Sequence, residues 1–180
     1  MPNVRVARRY AHALIDLSVE MQGLETVSKD LALVLLTYRS SRDFQLFLES
    51  PIIRGDKKKQ VLRALFKKRI SDITEKFLAL LAGKNREMLL PDIIREFHRL
   101  QNEHLGIVEV VVTSAVDLMK EQREALERTL EAYTRKKVVA EYRVDPAVRG
   151  GFIVQVGDTV LDASVRRQLE LLREKFVAAA

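Results

Sequence analysis

The stretch from Val144 to Leu169 constrains this chain more than any other, because it packs a turn, a tight bend, two strands, a hairpin loop and a helix start into a short span. Asp145-Pro146 reads as a turn. Gly150-Gly151 reads as a bend in which backbone approaches backbone, with at least one glycine at positive φ. Phe152, Val154 and Val156 alternate with Ile153 and Gln155, the period of a strand. Gly157-Asp158 is a two-residue hairpin loop, and Thr159 to Leu161 pairs back. Asp162 or Ser164 then caps a final helix holding Val165, Leu169, Leu172 and Phe176. Each of these residues instructs the backbone, and none of the pattern resembles an active site.

The segments before it extend the same domain. Ile107 to Thr113 is an unbroken β-branched run and reads as a well-buried strand. Glu121 to Arg135 is helical, with Leu126, Leu130 and Tyr133 in register. Val138, Ala140, Tyr142 and Val144 alternate with Val139, Glu141 and Arg143, a half-buried strand. The order from Gly106 onward is therefore β-α-β-β-β-α.

The first hundred residues have a different period. Val6, Tyr10, Ala13, Leu14, Leu17 and Met21 form an apolar stripe at helical spacing, which Gly23 ends. A second helix spans about 24–38, with Val27, Leu31, Val34 and Leu35 inward, and a short third covers Phe44 to Leu48. Asp56 is the expected N-cap of a fourth, whose buried stripe is Val61, Leu62, Leu65 and Phe66. Ser71 or Asp72 caps a fifth, with Ile73, Phe77, Leu80 and Leu81 on one face, ended by Gly83 to Asn85. Pro91 stands in the first turn of a sixth, cored by Ile93, Ile94, Phe97 and Leu100. The expected fold is α+β: residues 1–105 form an N-terminal six-helix bundle, and residues 106–180 a small α/β domain with a mixed sheet and two helices.

Composition narrows the function. Cysteine is absent, which excludes disulfides and thiolate metal sites. No apolar run approaches the roughly 20 residues a bilayer span needs. Arg5, Arg8 and Arg9 precede the first acid, Asp16, as in a transit peptide, but the apolar face runs on smoothly, so the segment reads as a mature helix. The net charge of +6 favours an acidic partner, a nucleic acid or an anionic surface.

Candidate chemistry is thin. His12, His98 and His104 lack companion ligands at metal spacing, so no metal or cofactor is expected. Asp158 and Asp162 could be imagined as a catalytic carboxylate pair, but a hairpin loop and a helix start explain them better. The basic residues Arg54, Lys57, Lys58, Lys59, Arg63, Lys67, Lys68 and Arg69 flank the fourth helix. Phe66, the one aromatic among them, falls on the core stripe, so a solvated face is favoured over nucleic-acid binding. A basic RNA-binding adaptor is nonetheless the alternative function. What remains is helical surface: Tyr10, Ala13 and Leu14 on the first helix and Phe77, Leu78 and Leu81 on the fifth.

From Arg9 to Phe176 the chain resembles the delta subunit family of F-type ATP synthases, relatives of the mitochondrial oligomycin-sensitivity-conferring protein. The resemblance is carried by Tyr10-Ala11-His12-Ala13-Leu14, by Phe77 through Arg86, by Val110 through Ala115, and above all by the set Asp145-Pro146, Gly150-Gly151, Gly157-Asp158, Asp162 and Ser164 to Leu169. Val148-Arg149 departs from the usual two aliphatics, Ser18 replaces an alanine, and Met119 stands where a capping serine is usual. The resemblance implies a non-catalytic stator, or peripheral stalk, subunit that links the catalytic head to the b-subunit stalk and resists rotor torque. It implies that N-terminal helices of the alpha subunits bind the N-terminal domain, one of them in a groove of helices one and five lined by Tyr10, Ala13, Leu14, Leu17, Phe77, Leu78 and Leu81. It also implies that C-terminal helices of the b subunits bind the C-terminal domain, where Gly150, Gly151, Gly157, Asp158, Asp162 and Ser164 build the structural turns. One copy per complex, no nucleic acid, no cofactor and a peripheral place at the cytoplasmic face of a bacterial plasma membrane complete the expectation.

Overall fold

The computed structural model describes residues 2–157 and 159–178. The chain divides into two compact units, Met1–Gln101 and Asn102–Ala180. The first is helical: α1 (Pro2–Glu20), α2 (Leu24–Ser40), α3 (Arg42–Glu49), α4 (Gly55–Phe66), α5 (Asp72–Gly83), a 3-10 turn at Glu87–Leu89, and α6 (Leu90–His104), whose end runs past the boundary. The second holds β1 (Ile107–Ser114), α7 (Lys120–Thr134), β2 (Lys137–Val144), β3 (Phe152–Val156), β4 (Thr159–Asp162) and α8 (Val165–Ala178). The α+β class and the element order are those the sequence predicts.

Aliphatic and phenylalanine side chains close the first unit. Leu14, Leu31, Val34, Leu48, Phe66, Leu81, Ile93, Ile94 and Phe97 are buried together, and Phe44 meets Phe66 edge-on at 6.0 Å. The end of α1 differs from expectation. Gln22, with φ 52°, takes the left-handed position, while Gly23 stays at φ −111° and donates its N–H to the Ser18 carbonyl at 2.8 Å. The buried Ser18 hydroxyl donates to the Leu14 carbonyl of its own helix at 2.6 Å, so it needs no outside partner where an alanine was expected.

A buried carboxylate sets the start of α5. Asp30 of α2 accepts hydrogen bonds from the Ser71 N–H at 2.7 Å, the Ser71 hydroxyl at 2.6 Å and the Thr74 hydroxyl at 2.8 Å. Ser71 is also the N-cap of α5, accepting from the Thr74 N–H. A negative charge is thereby held at the positive end of the helix dipole.

Helix α4 departs most from its sequence pattern. Arg54, not Asp56, is its N-cap, and Asp56 pairs with Lys59 in the first turn. Leu62 and Phe66 are buried, whereas Val61 and Leu65 are exposed. The third inward position is Lys58, only 2% exposed. Its ammonium donates to the Leu48 carbonyl at 2.8 Å and pairs with the buried Glu87 carboxylate. The basic run is therefore not a uniformly solvated face. At Gly55 the α4 backbone passes so close to α5 that a Cβ would lie 2.4 Å from the Ala82 carbonyl oxygen.

In the second unit the strand order is β2-β1-β3-β4, with β1 and β2 parallel and the other pairs antiparallel. Register aligns Val110 with Ala140 and Val156, and Val112 with Tyr142 and Val154. These residues pack with Leu126 and Leu130 of α7. Burial along β1 alternates, so it is covered chiefly on one face rather than buried throughout. Met119 is the N-cap of α7, and its N–H is accepted by the Gln122 side chain at 2.9 Å, the glutamine half of a capping box. Tyr133, in register with Leu126 and Leu130 by sequence, is exposed.

Tyr142 ties β2 to α7. Its hydroxyl donates to Glu127 at 2.8 Å, and the Arg123 guanidinium lies 4.7 Å above its ring. Burial raises the phenol first of all. The hydrogen bond to Glu127 and that carboxylate's charge add to it, and the pKa is pushed up to about 12.

Both ties can be tested by substitution. Lys58→Met leaves Glu87 buried without its cation and lowers stability by about 3–5 kcal/mol in urea unfolding, whereas Lys57→Ala costs less than about 0.5 kcal/mol. Equal effects would contradict the buried pair. For Tyr142, the folded chain holds the phenol proton longer than the unfolded chain, whose tyrosines titrate near pH 10. Its contribution is thus fully present below about pH 10 and lost as pH climbs toward 12. The stability gap between wild type and Tyr142→Phe should narrow over that range, and curves that stay parallel would refute the linkage.

Candidate functional site: an apolar groove and an exposed helix

Helix α1 carries two apolar stripes. Ala7, Ala11, Leu14, Ile15 and Ser18 are buried in the bundle. Val6, Tyr10, Ala13, Leu17 and Met21 face an open groove. In helix α5 Thr74, Leu78, Leu81 and Ala82 are buried, Ile73 and Leu80 face the groove, and Phe77, itself buried, lies where core and groove meet. The groove holds about 740 Å³ and is also bordered by Arg9, Asp72, Lys76 and Arg86. Tyr10 and Phe77 meet edge-on across it with ring centroids 6.4 Å apart.

Tyr10, Ala13, Leu14, Leu17 and Phe77 line one cleft, Leu14 and Phe77 while also belonging to the core. Leu78 and Leu81, expected beside them, belong to the core instead. The reason is helical phase: Leu78 and Leu81 repeat with Thr74, the residue bonded to Asp30, and that bond turns their stripe inward. The apolar residues Val6, Met21, Ile73 and Leu80 also line the cleft and were missed from the sequence, as were the charged Arg9, Asp72, Lys76 and Arg86 at its borders. For the apolar ones the signal was an apolar surface on α1 and α5 wider than one core face requires.

The predicted turn residues of the C-terminal domain lie in the second unit. Gly150 and Gly151 have φ of 137° and 75°, and Arg149 before them is also left-handed at 60°. A Cβ on Gly151 would stand 2.5 Å from the Ala163 carbonyl oxygen, which is the close backbone approach expected of the pair. Gly157 has φ 58°, and Asp158 lies outside the described residues. Asp162 accepts from the Ser164 N–H at 2.9 Å, and Ser164 in turn accepts from the Arg167 N–H at 3.2 Å, capping α8. The bonds from Ser164 hold the Asp162 carboxyl below its ordinary range. That is the state of a fixed turn carboxylate rather than of a proton donor.

Val165, Leu169, Leu172 and Phe176 of α8 face outward, Leu169 at 60% and Phe176 at 68% exposed. Val160 and Leu161 of β4 are exposed as well. Among the described residues no cluster of three or more metal-ligating side chains is present, and no helix is long and apolar enough to cross a membrane.

Comparison with known proteins places this geometry. Residues 6–176 match the family model described as ATP synthase delta (OSCP) subunit. The chain is 43% identical to an ATP synthase subunit delta of Chlorobium phaeovibrioides, covering 99% of this chain and 98% of that protein. It is 39% identical to one of Chloroherpeton thalassium, covering 97% and 96%. A chain in the cryo-EM structure of the Toxoplasma gondii mitochondrial ATP synthase hexamer shares the fold, with a TM-score of 0.70 at 22% identity, covering 95% of this chain and 97% of that one.

Proposed function

We propose, from the premise that this chain belongs to the ATP synthase delta (OSCP) subunit family, that its two units hold two different partner helices. A member of this family is a non-catalytic stator subunit of the F-type ATP synthase. In our proposal the α1/α5 groove receives an N-terminal helix of a head alpha subunit. The α8 face and β4 receive the distal C-terminal helices of the b-subunit stalk. One copy then sits in each complex, peripheral to the membrane at its cytoplasmic face.

The groove is the observation that carries this proposal. A bundle with a fully packed core leaves Leu17, Met21 and Leu80 exposed along one cleft, a surface suited to the apolar face of an amphipathic helix. The mechanics follow from that kind of contact. The turning rotor applies torque to the head, and the stator must hold the head without dissociating. Apolar burial against a preformed groove costs little ordering entropy and gives slow release. Exposed apolar residues on α8 offer the same kind of contact at the other unit.

Crossed variants test the assignment. Ala13 is exposed, so Ala13→Asp should leave folding intact and weaken binding of a peptide from the alpha N-terminus by about 10-fold or more, because the carboxylate would be desolvated. Leu14, at 1% exposure, is unsuitable, since a charge there would unfold the bundle. Leu169→Asp with Leu172→Asp should leave that peptide's affinity unchanged and weaken binding of a peptide from the far end of the b stalk. Calorimetry with both partners checks this, and either variant affecting the other partner, or neither, would overturn the assignment.

A further inference from the structure

The groove between α1 and α5 is chemically uneven along its length. The backbone at Gly23, just past α1, lies against Ile73 near the start of α5, where a Cβ would be 3.5 Å from its Cδ1. Tyr10, further back along α1, meets Phe77, further on along α5. The two helices thus run antiparallel. One end of the groove carries Leu17, Met21 and Ile73, with Asp72 and Lys76 paired to each other at 3.7 Å. The other end, formed by the N-terminal half of α1 and the segment following α5, carries Arg9 and Arg86.

Those two arginines differ from their neighbours. Arg8 is paired with Glu96 at 3.1 Å. Arg9 and Arg86 are exposed and, among the described residues, have no side-chain partner. A helix lying in the groove would strip water from both guanidinium groups. A neutral or basic neighbour would leave them poorly solvated and unpaired, whereas a carboxylate would gain a charge-assisted, bidentate contact. The paired Asp72 and Lys76 at the opposite end offer no such preference.

We infer that Arg9 and Arg86 are specificity determinants of the groove. They select an amphipathic helix bearing a carboxylate at one end of its apolar stripe, and so fix which way that helix lies. The inference rests on the docking proposal above and adds the chemistry and polarity of the occupant.

Three synthetic helical peptides with one apolar stripe test it, each acetylated and amidated. One carries glutamate beside the N-terminal end of the stripe, one beside the C-terminal end, and one glutamine at both. Titration into the full chain at about 50 mM salt should show one acidic peptide binding roughly 10-fold tighter than the neutral one, and the other acidic peptide without that advantage. The preference should collapse at about 300 mM salt and in Arg9→Gln/Arg86→Gln, whose affinity for the neutral peptide should match wild type. Equal binding of all three peptides, or a preference that survives the double variant, overturns the specificity role while leaving groove docking intact. Failure of every peptide to bind overturns both.

Discussion

Asp30 is the constraint on which the working surface of the helical unit depends. Its carboxylate takes three hydrogen bonds from the start of α5 and is itself buried on α2. Hydrogen bonds to a charged group are among the stronger ones in a protein, and a buried carboxylate without them would be costly. They fix both the starting point and the rotation of α5. That rotation sends Thr74, Leu78 and Leu81 into the core and leaves Ile73, Phe77 and Leu80 at the groove. A polar interaction thus helps set which apolar face of α5 is buried and which is left at the groove. Lys58 and Glu87 act similarly, joining α4 to the 3-10 turn after α5 and to the end of α3.

Both units keep apolar surface beyond what their cores use. In the first, the surplus is concave, on α1 and α5. In the second, it is a helix face, on α8, beside a sheet whose own core is completed by α7. Isolated exposed apolar residues are ordinary, but contiguous stripes on regular elements cost solubility and persist where a partner covers them. A stator component needs attachment at two places and chemistry at neither. The turn at Gly151, Asp162 and Ser164 holds the start of α8 against β3, with the Ala163 N–H donating to the Phe152 carbonyl at 3.0 Å.

Element order, fold class and family were legible because turn residues and periodicity are local properties. The caps at Ser71 and Ser164, the bend at Gly150-Gly151 and the alternation of β2 and β3 all come from short-range chemistry. The family could be identified from the ordered set of those motifs. What was not legible was what each face touches. Periodicity marks Val165, Leu169, Leu172 and Phe176 as one stripe but says nothing about what covers it. The second half of helix α5 is apolar nearly all round, so Leu78 and Leu80 could not be assigned to different sides without Asp30, which lies 44 residues before Thr74 in the chain. Lys58 is hidden inside a run of three lysines, and only Glu87, 29 residues away, reveals it as the buried one. At the end of α1, glycine was the expected left-handed residue, yet Gln22 takes that conformation and Gly23 supplies the closing N–H.

Methionine oxidation offers the most direct test of the central claim that the α1/α5 groove is the face covered in the assembled synthase. Met21 lies in the groove and Met88 outside it, at 59% and 57% exposure, so both should react with peroxide at similar rates in the free chain. In the intact complex, Met21 should be slowed by about 10-fold or more relative to its rate in the free chain, with Met88 as the reference. Met21 oxidising as fast in the assembled synthase as in the isolated protein would contradict the account.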